Sequence, residues 1–164
     1  MVSLSAYIYR GKLIESRHRA ICLVKDEFNQ DILSTNNKES LVYPRSAIKI
    51  FQAFPFINSR AQILFNLSHA SIAMACSSHV GEPQHLKILN EWLKKISISV
   101  SQLQCGIHNP IDEKSSNNLM LSGKSPSQLH NNCAGKHLGM ISGCIAKNID
   151  ILKYVDFNHP YQKL

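Results

Sequence analysis

Three short runs hold most of the reactive side chains in this sequence. The first is Ser46-Ala-Ile-Lys49. On a helix, residues three apart share a face, so the Lys49 amine can approach the Ser46 hydroxyl. Serine becomes a nucleophile only when a neighbour takes its proton. Lysine can do so when burial or a nearby cation lowers its pKa. At a helix start, Ser46 would also sit beside unpaired backbone N–H groups suited to a developing oxyanion. Taken alone, the spacing fits equally well a serine that caps a helix and a lysine in water.

The second run is Ala75-Cys76-Ser77-Ser78-His79-Val80-Gly81-Glu82. Small polar residues after an apolar helix, with a glycine for a tight turn, suit a loop that approaches a ligand. Ser78 can donate to a carboxylate or pass a proton, and Glu82 can bind an amine. A plain helix end with His79 as a satisfied polar residue fits as well. The third run, His130-Asn-Asn-Cys133-Ala-Gly-Lys136-His137, packs a thiol, an amine, two imidazoles and two amides around a glycine. Packing alone does not explain that density. Cysteine is a good zinc ligand and a desolvated lysine an uncommon one, whereas a closed structural site needs four ligands. Asn131 or Asn132 also suits the cap of a following helix.

These runs need elements to hold them. Ser5–Arg10 and Ala20–Val24 read as strands, and Asp31–Leu33 can follow after the turn KDEFNQ. Residues 34–39 read as a polar loop. A short helix is predicted from about Ser46 to Phe54, since Pro55 disfavours a helical residue before it. A second spans about Asn66–Ala75, capped by Ser68. In His85–Ile98, the residues Leu86, Leu89, Trp92, Leu93 and Ile96 fall on one face, which marks a core-facing helix. Residues 107–127 read as a loop, and a last helix runs from about Cys133–Lys136 to Lys147. Strands first and helices after predict one α+β or α/β layered domain over residues 1–164.

Composition removes several function classes. The net charge of +7 raises the prior for polyanions, but the basic residues are scattered with no tract of like charge. Nucleic acid is therefore not expected as a partner. The most membrane-like stretch, 61–81, carries two histidines, two amides and four serines, and reads as a buried helix and turn. Five irregularly spaced cysteines and a start without a signal-peptide pattern predict reduced thiols and a cytoplasmic protein.

Together the three runs resemble the bacterial and fungal L-asparaginase family of the rhizobial, thermolabile, zinc-containing kind. The resemblance runs from Arg10-Gly11 and Glu15-Ser-Arg-His18 through Arg45-Ser-Ala-Ile-Lys49-Ile-Phe-Gln-Ala53. It continues in Ser78–Glu82 with His85, in Cys105-Gly-Ile-His-Asn-Pro110, in His130–His137, and in Tyr154 with His159-Pro-Tyr-Gln162. Ile50, Ala20 and Ser77 are mild departures, standing where the family usually has proline, glycine and alanine.

The resemblance implies a fold similar to serine β-lactamases and glutaminases. It implies hydrolysis of L-asparagine to aspartate and ammonia through a serine acyl-enzyme. Ser46 matches the nucleophile, Lys49 its base and Ser78 the second active-site serine, with Arg45, His79 and Glu82 on the substrate. Cys133 and Lys136 match two ligands of the family's zinc, and no organic cofactor is implied. A homodimer is the associated assembly. Family members run to about twice this length, and the sequence stops just after a turn at 158–164. The expectation is an N-terminal half that lacks a third zinc ligand and the lysine paired with the second serine. Zinc would then be held weakly and activity impaired, the alternative being an inactive fragment or half-subunit.

Overall fold

A computed structural model describes residues 3–35 and 38–164. Asn36 and Asn37, within the expected polar loop, lie outside the described residues. The chain divides into two compact units, residues 1–43 and 44–164.

The first unit is two antiparallel hairpins. β1 (Leu4–Arg10) pairs with β2 (Leu13–Ala20) through a turn in which Gly11 takes φ +61°, a conformation cheap only for glycine. A bulge interrupts the ladder between Ile8 and Tyr9. β3 (Leu23–Lys25) pairs with β4 (Asp31–Ser34). Their turn is held by Asp26, whose Oδ1 accepts from the backbone N–H of Phe28 and Gln30 at 2.9 and 2.8 Å. The expected strand over Ala20–Val24 is a correction: β2 ends at Ala20 and β3 begins at Leu23. At the break, Thr35 Oγ1 accepts from the Cys22 N–H at 3.0 Å. β2 escaped notice because LIESRHRA is mostly polar and charged, and its residues are almost all exposed.

The second unit is helical. A 3-10 turn over Arg45–Ile48 runs directly into α1 (Lys49–Gln52), followed by α2 (Phe54–Asn58) and α3 (Ala61–Leu64). Pro55 does not end a helix as expected. It sits in the first turn of α2, where its missing N–H costs nothing. α4 (His69–Cys76) is capped by Ser68, whose Oγ accepts from the Ser71 N–H at 3.2 Å. α5 (Pro83–Lys95) starts on a reciprocal cap between Glu82 and His85.

α6 (Glu113–Leu121) lies inside the stretch expected to be a loop. Its Asn- and Ser-rich sequence has weak helix propensity. Asp112 nonetheless caps it, accepting from the Ser115 N–H at 2.7 Å. α7 (Ala134–Ala146) closes the set.

α7 is the centre of this unit and packs against α2, α3, α4 and α5. Leu138, Ile141, Ser142 and Cys144 are fully buried on it. Glycines recur every four residues along it, and at Gly135 and Gly143 they let neighbours approach its backbone. A β-carbon at Gly135 would lie 2.2 Å from the Met74 carbonyl oxygen, one at Gly139 3.5 Å from Phe56, and one at Gly143 2.5 Å from Tyr161 Cε2. Along α5 and its C-cap, the predicted stripe of Leu89, Trp92, Leu93 and Ile96 is buried, and Leu86 packs against the core. Trp92 Nε1 donates to Ser142 Oγ at 2.9 Å, which donates on to the Leu138 carbonyl at 2.7 Å, so both buried polar groups are satisfied.

Mixed helix and strand content agrees with the α+β expectation. Among the described residues, no helix is long and apolar enough to cross a membrane.

Candidate active site

The candidate site lies within residues 44–164. The turn into α1 places Ser46 on the surface and sends the Lys49 side chain inward, where only 3% of the residue is exposed. Lys49 Nζ donates to Ser78 Oγ at 2.7 Å, to the Ser77 carbonyl at 2.7 Å and to the Asn132 carbonyl at 3.2 Å. Ser78 Oγ in turn donates to Ser46 Oγ at 2.9 Å. The serine and lysine expected to interact are therefore linked through Ser78, in a line Ser46–Ser78–Lys49.

Burial pushes the Lys49 amine below the ordinary ammonium value, and the Lys136 cation pushes the same way. The Cys133 sulfur beside it opposes both. A buried amine of lowered basicity at the end of a two-hydroxyl line can accept a proton that an exposed lysine would already carry.

A cleft of about 330 Å³ opens over this line. Its walls carry Arg45, Ser46, Lys49, Gln52, Asn132, Cys133 and Lys136. Arg45 and Lys136 bring two cations beside Lys49 and none of the lining residues is acidic, so the cleft favours a ligand bearing a carboxylate. Arg45, immediately before Ser46, has φ +46°. Arg60, Ser97 and Lys153 share that left-handed conformation elsewhere, so it does not by itself mark a site.

Of the residues singled out in the sequence, Arg45, Ser46, Lys49, Cys133 and Lys136 line one cleft, and Ser78 joins it through its hydrogen bonds. Glu82 and His79 have other tasks. The Glu82 carboxylate caps α5, accepting from the His85 N–H and from the Gln84 amide. His79 is 97% buried, and its Nδ1 accepts from the Gly81 N–H at 3.2 Å. Its pKa falls to about 4, from burial first and then from the neighbouring His85 and Lys49 charges. His79 is thus a neutral brace for the Ser78–Gly81 turn. The free oxyanion donors expected at the helix start are partly spent, because the Ala47 N–H already donates to the Pro44 carbonyl at 3.0 Å.

Cys133 is the N-cap of α7, and Lys136 lies in its first turn. The expected asparagine cap is displaced by two residues: Asn131 Oδ1 accepts from the Cys133 N–H at 2.9 Å. Sequence reasoning missed the backbone carbonyls of Ser77 and Asn132. No side-chain pattern reports a carbonyl, and Asn132 lies 83 residues from the lysine it holds. Gln52 was also missed, although it sits one turn after Lys49 on the same side of the helix.

The chain belongs to the L-asparaginase II family, whose model matches residues 6–164. A comparison with curated proteins gives no match.

Proposed function

We propose that this member of the L-asparaginase II family hydrolyses the side-chain amide of L-asparagine, with Ser46 as nucleophile. The observation that carries the reading is the line from Ser46 through Ser78 to Lys49, at 2.9 and 2.7 Å, under a cationic cleft.

With Lys49 neutral, the two hydroxyls turn so that Ser46 donates to Ser78 and Ser78 to the amine. Ser46 Oγ attacks the amide carbon as its proton passes to Ser78, whose own proton moves to Lys49. The tetrahedral adduct collapses with cleavage of the C–N bond. The proton returns along the same line to the departing nitrogen, which leaves as ammonia. Water then takes the place of ammonia, is deprotonated through the same line, and cleaves the ester to aspartate and free Ser46. Arg45 and Lys136 are suited to hold the substrate α-carboxylate. The similarity to serine β-lactamase folds is part of this proposal and is supported by a Ser-x-x-Lys pair on a helix of an α+β chain.

The test is ammonia release from L-asparagine by the purified chain. Ser46→Ala should lower it by at least ~10³-fold, ~4 kcal/mol of transition-state stabilisation. Activity that survives Ser46→Ala, or selective action on another amide, overturns the reading.

The donor chemistry of Cys133 and Lys136, a thiol and an amine facing one cleft, fits two ligands of a zinc ion. Such an ion would supply Lewis-acid polarisation of a bound oxygen. No group of three His, Cys, Asp or Glu placed to hold a metal is present among the described residues. Binding through these two donors is accordingly expected to be weak. Titration against a chromogenic chelator should show zinc lost readily from the wild type and bound less still by Cys133→Ser. Homodimer formation belongs to the same proposal. It is supported by the outward Ile50, Phe51 and Phe54, each more than half exposed, and is checked by sedimentation.

A further inference from the structure

The Lys49 amine has three partners, and two of them are backbone carbonyls. Its direction therefore depends on what fixes those peptides. The Ser77 carbonyl belongs to the end of α4. The Asn132 carbonyl lies in the irregular turn before α7 and is steadied from outside that turn.

The Asn132 N–H donates to His108 Nε2 at 3.1 Å. His108 Nδ1 lies 2.6 Å from the Asn109 carbonyl, an atom that can only accept, so Nδ1 carries the proton and Nε2 is the acceptor. Both nitrogens of this neutral ring are engaged. One residue away, Asn131 bridges the same two segments. Its Nδ2 donates to the Gly106 carbonyl at 2.8 Å, and its Oδ1 accepts the Cys133 N–H, which shares a peptide plane with the Asn132 carbonyl. The Gly106–Asn109 segment thus holds the Asn131–Asn132 peptide through His108 and the Asn131 side chain through the Gly106 carbonyl, and that side chain holds the next peptide, whose Asn132 carbonyl faces Lys49.

We propose that His108 is a positioning residue for the Ser46–Ser78–Lys49 line. By accepting the Asn132 N–H it holds the peptide adjoining the one whose carbonyl aims the Lys49 amine at Ser78. This rests on the reading of Ser46 as nucleophile. His108 itself does not line the cleft, so its effect passes through Lys49 and not through a ligand.

The test is the rate at which a fluorophosphonate probe phosphonylates Ser46 in the intact chain with loss of fluoride, followed by mass spectrometry, with the thermal midpoint of each variant measured alongside. His108→Phe keeps a ring and removes the acceptor. His108→Gln places an oxygen near the lost Nε2. The ring is only half-buried, so neither change empties a core site. We expect His108→Phe to slow labelling at least tenfold and His108→Gln to recover most of the rate at a similar midpoint. Should His108→Phe fail to fold, His108→Ala takes its place with the same expectation.

Labelling by the acceptor-free variant at the wild-type rate overturns the proposal. So does a glutamine variant as slow as the phenylalanine one. Absence of any Ser46 labelling in the wild type overturns the nucleophile reading and takes the role of His108 with it.

Discussion

Among residues 3–35 and 38–43, Thr35 alone is buried, whereas 44–164 contain every buried apolar residue of the described chain. Leu4, Tyr7, Ile8, Tyr9, Leu13 and Ile14 are each 43–77% exposed on the hairpins, while Leu89, Trp92, Leu138 and Ile141 reach zero exposure around α7. Both regions are rich in large apolar residues. They differ in whether each unit, taken by itself, stacks a second layer on those residues. The hairpins are specified by ladder hydrogen bonds and turn chemistry, and an isolated two-stranded ribbon of that sort is marginal in water. The helical unit is specified by close packing on one central helix. Its reactive residues inherit their geometry from that packing, because Lys49, Ser78 and Cys133 all project from segments held by α4 and α7.

The sharpest way to break this contrast is Gly135→Ala. The added methyl would collide with the Met74 backbone, and a backbone cannot rotate aside as a side chain can. A loss of ~3 kcal/mol or more is expected in denaturant unfolding, together with lost Ser46 reactivity. A loss below ~1 kcal/mol would mean that close packing is not what sets this unit.

A smaller effect should come from acid. His79 is held near pKa 4 in the fold and titrates near 6.5 when unfolded. The folded state thus prefers the neutral ring. Its contribution is complete above about pH 6.5 and is lost as pH falls from there towards 4. The full difference would be ~3 kcal/mol, reduced to ~1–2 kcal/mol by water reaching the surrounding loops. His79→Gln should lessen the fall in stability between pH 7 and 4.5, leaving the share of His137, which burial also holds at about 4, and hydrogen exchange should locate the acid loss in 44–164 and not in the hairpins. Least of all should Leu13→Ser matter. At 77% exposure, its replacement should move stability by under ~0.5 kcal/mol. A larger loss would show that a partner covers this hairpin in solution.

Legibility in the sequence followed the same division. The stripe on α5 and the span of α7 could be read because burial on one face leaves a period in the residue types. β2 and α6 could not. Both are exposed and polar, and each is held by a local device, a hairpin ladder in one case and the Asp112 cap in the other. At the site, the right residue types were visible, but their order was not. Ser78 lies between Ser46 and Lys49, and helical spacing alone cannot disclose a second hydroxyl brought from thirty-two residues away.

The reach of Lys49 has a kinetic consequence. Its amine joins a segment 28 residues ahead to another 83 residues ahead. Loops of that size close at an entropic cost that nearby contacts do not repay, so pairings of long sequence separation come late as a chain organises. Local helices such as α5 can form while Lys49 still points into water as an ordinary ammonium. The amine loses its hydration, and with it part of its basicity, only when the last long-range contacts close. A partly organised chain would carry Ser46 and Lys49 side by side and still be chemically inert, since nothing would yet hold the hydroxyl of Ser78 between them.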